Sequence, residues 1–204
     1  MDVYQRPTDP RRPVVCMDES SKQVLSEVRA PLPIQPGDSR KEDSHYHRQG
    51  VWNLFLAFEP AGGKREVTVT ERRTKVDWAH SGKKVVDARY PQAERITLIC
   101  DQLNTHTLAS LYEAFPAVEA HRLARKLELV HTPKHGSWLN RAEIEFSALS
   151  RQCLERRFPD HLTLGQEVAA WTAARNRAHT TVHWRFTTAD ARIKLASLYP
   201  NFGD

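Results

Sequence analysis

Three acidic residues in this sequence stand where carboxylates can do chemistry. Asp18 closes the apolar run Val14-Val15-Cys16-Met17, and Asp101 closes Ile96-Thr97-Leu98-Ile99-Cys100. Glu143 enters the first turn of an expected helix behind His131-Thr132-Pro133-Lys134-His135-Gly136-Ser137-Trp138-Leu139-Asn140-Arg141-Ala142. Each has an ordinary explanation, because an aspartate at a strand end caps a turn and a first-turn glutamate complements the helix dipole. Gathered together, three carboxylates repel by several kcal/mol per pair at an effective dielectric of about 20, so such a cluster needs a cation. Hard oxygen ligands favour magnesium or manganese. Two such ions about 3.5 to 4 Å apart activate a water or a DNA 3′-hydroxyl and stabilise the leaving oxygen of an in-line displacement. The chemistry implied is cutting or joining a phosphodiester backbone. Glu145 competes with Glu143 for the third place, but it lies about 200° further round the helix, so both cannot face one metal pair.

The elements that must position these acids follow from hydrophobic periodicity. The proline-marked arm 1–13 reads as an extended linker. Val14 to Asp18 and Lys22 to Arg29 read as two strands, and 31–49 as a loop. Val51 to Phe58 and Arg65 to Thr70, joined by Pro60-Ala61-Gly62-Gly63, read as a hairpin. A helix is predicted from Lys75 to Tyr90 before Pro91, a strand from Ile96 to Cys100, and helices at Leu108 to Phe115 and Val118 to Lys126. The last core strand is Leu127 to His131. A helix from Leu139 to Arg156 carries Ala142, Phe146, Leu149 and Cys153 on one stripe. This order is that of a ribonuclease-H-like α/β fold, a mixed five-stranded sheet flanked by helices. It places Asp18 in the central strand, Asp101 at the end of its neighbour and Glu143 on the last core helix. The organisation expected is an arm at 1–13, a catalytic domain at 14–158 and a C-terminal helical extension at 159–204, with helices near Leu164 to Arg177 and Ala189 to Leu198.

With 204 residues the chain is long enough for one domain that buries about 70% of its unfolded surface. No apolar run approaches the roughly 20 residues that span a bilayer, and no secretion signal is visible, so a cytoplasmic, nucleoid-associated protein is expected. Cys16, Cys100 and Cys153 form no CxxC pair and read as buried thiols. The net charge of +5 suits a polyanionic partner. Candidate phosphate contacts are Arg72, Arg73, Lys134, His135 and Arg151, although bunched basic residues also serve as solvated helix faces. His106 could position a phosphate or water or merely cap a loop, and Asn140 could orient Glu143 or cap the helix. Trp138 reads more readily as a core anchor than a stacking platform, and Trp184 and Phe186 as packing for the extension. There is no GxSxG elbow and no Gly-rich phosphate loop, and the His45-Tyr46-His47 pair lacks further ligands at zinc spacing. Serine-hydrolase, kinase and zinc-enzyme chemistries, and a small organic cofactor, are therefore not expected.

The three acids, Asp101-Gln102-Leu103-Asn104-Thr105-His106, and the run from Thr132 to Glu145 with its Ser-Trp-Leu-Asn signature resemble the DDE transposases of bacterial insertion sequences, in the mariner-like superfamily. The resemblance extends from Tyr4 to Tyr199. It implies that Asp18, Asp101 and Glu143 bind the metals, and that the intact enzyme nicks element ends and joins them to target DNA, typically at a TA dinucleotide. The 41 residues between Asp101 and Glu143 exceed the mid-thirties spacing of the animal members and fit the bacterial branch. Implied partners are double-stranded DNA and a second copy in a homodimer. Family members carry an N-terminal helix-turn-helix region, whereas Met1 stands only a short arm before the first strand. A catalytic domain alone is therefore expected, with weak and largely nonspecific DNA binding. The alternative expectation is a catalytically silent DNA-binding or assembly remnant.

Overall fold

Strand β1 (Val14–Glu27) lies at the centre of a five-stranded mixed sheet of order β3-β2-β1-β4-β5. The computed structural model describes residues 2–29, 36–37, 44–134, 136–182, 185–194 and 196. β2 (Tyr46–Glu59) runs antiparallel to β1, and β3 (Lys64–Thr70) antiparallel to β2. β4 (Ile96–Cys100) and β5 (Leu127–His131) add in parallel on the other side, and β4 is buried along its whole length, as a strand covered on both faces must be.

Side chains that alternate across the strands divide two cores. Val15, Met17, Phe55 and Leu98 pack on one face under α1 (Lys75–Lys84), α2 (Ala109–Ala114) and α3 (Ala117–Lys126). Cys16, Leu54, Leu56, Phe58 and Ile99 pack on the other face under α4 (Ala142–Leu149) and α5 (His161–Arg177). Leu164, Val168 and Trp171 of α5 belong to this second core, so the C-terminal region shares its packing with the sheet. The last described helix is α6 (Thr188–Lys194).

Several expectations are corrected. The two strands expected at 14–18 and 22–29 are one ladder that continues through Ser20-Ser21 and bulges between Gln23 and Leu25. Ser21 resembles a turn residue in sequence, yet its hydroxyl donates to Asn53 Oδ1 at 2.7 Å across the ladder. The expected loop at 31–49 gives up its end to β2, whose exposed residues from Tyr46 to Val51 pair with the far half of β1. The helices expected at 75–90 and 139–156 each close in a π-helical turn, Val85–Arg89 and Ser150–Leu154, and a short 3-10 turn, Ser137–Leu139, precedes α4. The arm is not a free linker, because Asp2–Gln5 forms a 3-10 turn and the Tyr4 hydroxyl donates to the Leu139 carbonyl at 2.9 Å. Of the C-terminal features expected, Trp184 and most of the stretch beyond Lys194 lie outside the described residues.

Candidate active site

The register of the sheet brings the two aspartates together. Val14, Val15 and Cys16 pair with Thr97, Leu98 and Ile99, so Asp18 on β1 and Asp101, which directly follows β4, each lie two residues beyond the last paired rung, at the same end of adjacent strands. Asp18 shares a face with Cys16, the face on which α4 packs. Glu143 lies in the first turn of α4.

One side chain fixes that turn to the sheet. Asn140, 1% exposed, donates from Nδ2 to the Met17 carbonyl at 2.9 Å and accepts the Ala142 N–H on Oδ1 at 3.1 Å. Asn140 therefore both accepts the first N–H of α4 and clamps its start to the residue before Asp18. Tyr4 adds a second brace, with its hydroxyl 3.3 Å from Cys16 Sγ and the Arg141 guanidinium 3.8 Å above its ring.

The electrostatics show the acids acting on one another. Burial pushes the Asp18 carboxyl up to about 7, and the charges of Glu19, Asp101 and Glu143 push the same way, against the Glu19 N–H that donates to Oδ1 at 2.9 Å. Among the described residues no group of three His, Cys, Asp or Glu side chains stands at ligating spacing, so the acids approach one another without forming a closed cage. Hard carboxylate oxygens whose negative charges already disturb one another fit magnesium or manganese.

The competing glutamate is engaged elsewhere. Glu145 is 1% exposed, and Arg175 donates to it from Nε at 2.6 Å and from Nη2 at 3.1 Å. Arg65 Nε faces its Oε1 at 2.8 Å as an ion pair, without the alignment of a hydrogen bond. Glu143, on the opposite side of the helix, is half-buried.

His106 is 1% exposed and touches Asp101 directly, Nδ1 to Oδ1 at 2.6 Å. Its Nε2 faces Glu19 Oε2 at 3.0 Å, again as an ion pair rather than an aligned hydrogen bond. Burial pulls the imidazole pKa down, but Cys100 and Glu19 beside it outweigh that and hold it at about 10.

The basic candidates are more scattered. Arg72 and Arg73 are exposed where β3 leaves the sheet, two strands from Asp18 and at the same end, since Thr70 is level with Asn53 and Asn53 with Ser21. Lys134 is exposed between β5 and the turn before α4. Arg151 is exposed eight residues beyond Glu143, about 12 Å along the helical axis. His135 lies outside the described residues. Trp138 is half-buried and meets the edge of Phe186 at 5.3 Å, with Lys194 Nζ 4.9 Å from its ring, so it anchors the C-terminal segment.

Two residues that sequence reasoning passed over are Glu19 and Arg65. Alternation along β1 places Glu19 on the inward face with Val15 and Met17, and a charge in that phase of a buried strand is the signal that marked it. Arg65 carries no such signal, since an arginine that opens an edge strand is ordinarily exposed.

A family model for DDE superfamily endonucleases matches residues 13–165, which contain all three acids. No curated protein sequence matches the chain. Among solved structures, a Mos1 mariner paired-end complex with Mn is similar at 15% identity and a TM-score of 0.55, covering 87% of this chain and 54% of the other. A Mos1 strand transfer complex is similar at 14% identity and a TM-score of 0.56, covering 87% and 53%. A pre-cleavage Mos1 transpososome is similar at 15% identity and a TM-score of 0.56, covering 87% and 54%. The chain spans about half the length of these structures, and the likeness shows the ribonuclease-H-like fold. With the model covering most of the chain, the protein belongs to the DDE superfamily endonucleases.

Proposed function

We propose that this chain is a metal-dependent catalytic domain for DNA strand cleavage and strand transfer, with Asp18, Asp101 and Glu143 as its metal ligands. The single observation that supports this most is the placement of Asp18 on the α4 face of the central strand, with Glu143 in the first turn of that helix and Asp101 directly after the adjacent strand, so that besides burial the charges of both push the Asp18 carboxyl up. Such an arrangement costs stability without a cation and becomes favourable with one. Bound there, a pair of magnesium or manganese ions would supply the charge that activates a water or a 3′-hydroxyl and stabilises the leaving oxygen.

The chain's own residues supply position. Asn140 holds the first turn of α4 against β1, the pairing of β1 with β4 carries the two aspartates to the same end of adjacent strands, and Arg65 and Arg175 keep Glu145 turned away. Arg72, Arg73 and Lys134 are exposed cations suited to phosphates, and the relatives solved as paired-end and strand transfer complexes support a double-stranded DNA partner held by a homodimer. Contacts of this kind position a duplex without reading its sequence, so binding is weak, largely nonspecific and strongly salt-dependent. No helix among the described residues is long and apolar enough to cross a membrane.

The test is incubation with supercoiled plasmid and manganese beside Asp101→Ala. Nicking that the variant lacks supports the enzyme, and an absence of cleavage by both proteins identifies a catalytically silent DNA-binding remnant instead.

A further inference from the structure

His106 is enclosed by groups that are hard to explain as packing alone. Its neighbour Glu19 is adjacent in sequence to Asp18 but points to the opposite face of the sheet, under α1 to α3, where its side chain is only 5% exposed. A buried carboxylate ordinarily needs a partner, and among the described contacts of Glu19 the charged partner is His106. The imidazole lies stacked on fully buried Trp78, ring centroids 5.8 Å apart and planes 29° apart. Its backbone is held as well, because the His106 N–H donates to the Leu103 carbonyl at 2.9 Å and His131 Nε2 meets the His106 carbonyl at 2.9 Å.

From this fixed seat Nδ1 reaches Asp101. The Leu103 N–H also donates to Asp101, at 3.2 Å, and both side-chain contacts fall on the same oxygen, Oδ1, while Nδ1 also lies 3.4 Å from the Asp101 main-chain carbonyl. Among the described contacts none engages Oδ2. An aspartate just past a strand end otherwise keeps its side-chain freedom, and binding a cation would then require that freedom to be lost.

We propose that His106 is a positioning residue that fixes the Asp101 carboxylate through Oδ1 and leaves Oδ2 for the cation, with Glu19 on the far side of the ring holding His106 in place. The inference rests on the metal-binding reading of Asp101 given above. Residues that orient ligands in this way are worth roughly 10- to 100-fold in metal affinity.

Two amide substitutions separate the halves of the ring. His106→Asn places its amide nitrogen near the position of Nδ1 and keeps the donor to Asp101, whereas His106→Gln reaches towards Nε2 and keeps the contact with Glu19. Manganese affinity without DNA is read from the electron paramagnetic resonance signal of the free ion, with Asp101→Ala as the control that removes binding. The expected result is that His106→Gln binds roughly 10- to 100-fold more weakly than the parent, while His106→Asn stays within about threefold of it. Equal affinities in both variants, whether parental or lost, overturn the proposal. If His106→Gln does not fold by circular dichroism, the comparison is made in a Glu19→Gln background, where His106→Ala is expected to bind roughly 10- to 100-fold more weakly than His106→Asn and equal affinities overturn the proposal. A parent that binds manganese through Asp101 but never nicks DNA refutes the nuclease reading while the order of the variants still decides this one. A parent that nicks DNA while all variants bind alike refutes only the role of His106, and a parent with no Asp101-dependent binding refutes it as well.

Discussion

Arg65 Nε stands 2.8 Å from Glu145 Oε1, with both side chains withdrawn from water, at 0% and 1% exposure. The pair joins the edge strand β3 to α4, and Arg175 extends it to α5. Asn176 completes the junction, its Oδ1 accepting the Arg65 N–H at 2.8 Å and its Nδ2 donating to the Arg65 carbonyl at 2.8 Å. This junction sets the rotation of α4 about its axis and so turns Glu143 towards the face that carries Asp18.

The two glutamates should therefore fail in opposite ways. Glu145→Ala leaves Arg65 buried without its counter-charge and should cost about 3 to 5 kcal/mol. Glu143→Gln should leave urea unfolding within about 0.5 kcal/mol of the parent, as for surface substitutions, yet abolish manganese-dependent nicking. An active Glu143→Gln protein would contradict the assignment.

Asp18 predicts the pH dependence of the metal-free protein. Its folded pKa of about 7 lies above its ordinary value, so the native state holds the proton more tightly than the unfolded chain does. The resulting stability is fully present below the unfolded value of about 3.9 and is lost as pH rises through about 7. Asp18→Asn should consequently raise metal-free stability at pH 8 by on the order of 1 to 2 kcal/mol, allowing for partial solvent screening, and change little at pH 4. Manganese affinity of the parent should climb between pH 6 and 8, because the cation must displace that proton. Urea unfolding of the metal-free parent and variant at pH 4 and pH 8 measures the first effect and isothermal titration with manganese at several pH values the second, and a flat profile in either would contradict it.

Removing the clamp at Asn140 should weaken the site and the fold together. Asn140→Ala deprives the buried Met17 carbonyl of its donor and the Ala142 N–H of its acceptor, a loss of about 1 to 3 kcal/mol in urea unfolding. Asn140→Asp keeps the acceptor for Ala142 but has no donor for Met17, so its stability should fall at least as far. Stability equal to the parent in both would show that α4 is held by its apolar face alone.

Two glycines should respond oppositely to alanine. Gly63 has φ +61, and a Cβ there would lie 2.8 Å from the backbone of His179, so Gly63→Ala should destabilise by more than about 1 kcal/mol. Gly165 in α5 has nothing within 4 Å of an added Cβ, so Gly165→Ala should stabilise by about 0.4 to 1 kcal/mol. Thermal unfolding of the two variants checks the pair.

Much of this was legible from local patterns. Ile96 to Cys100 announced a buried strand ending in an acid because four apolar residues and a β-branched threonine in five positions suit a strand covered on both faces. The stripe on α4 announced Glu143 in a first turn. The outer half of the β1–β2 ladder was illegible because Tyr46 to Val51 are exposed, leaving no alternation of burial for a sequence to display. The docking of Tyr4 was hidden among prolines that suggested only an extended arm.

By itself, the order of residues determined which segments become strands and helices and which of them end in acids, because hydrophobic period and capping are local. Only the tertiary structure decided the register by which Cys16 meets Ile99 two residues short of both aspartates, that Glu145 is held by arginines from two other elements, and that Glu19 meets His106 beneath the sheet. Those relations depend on strand order, register and the rotation of a packed helix, which arise from contacts between residues far apart in the chain and leave no mark on any single stretch of it.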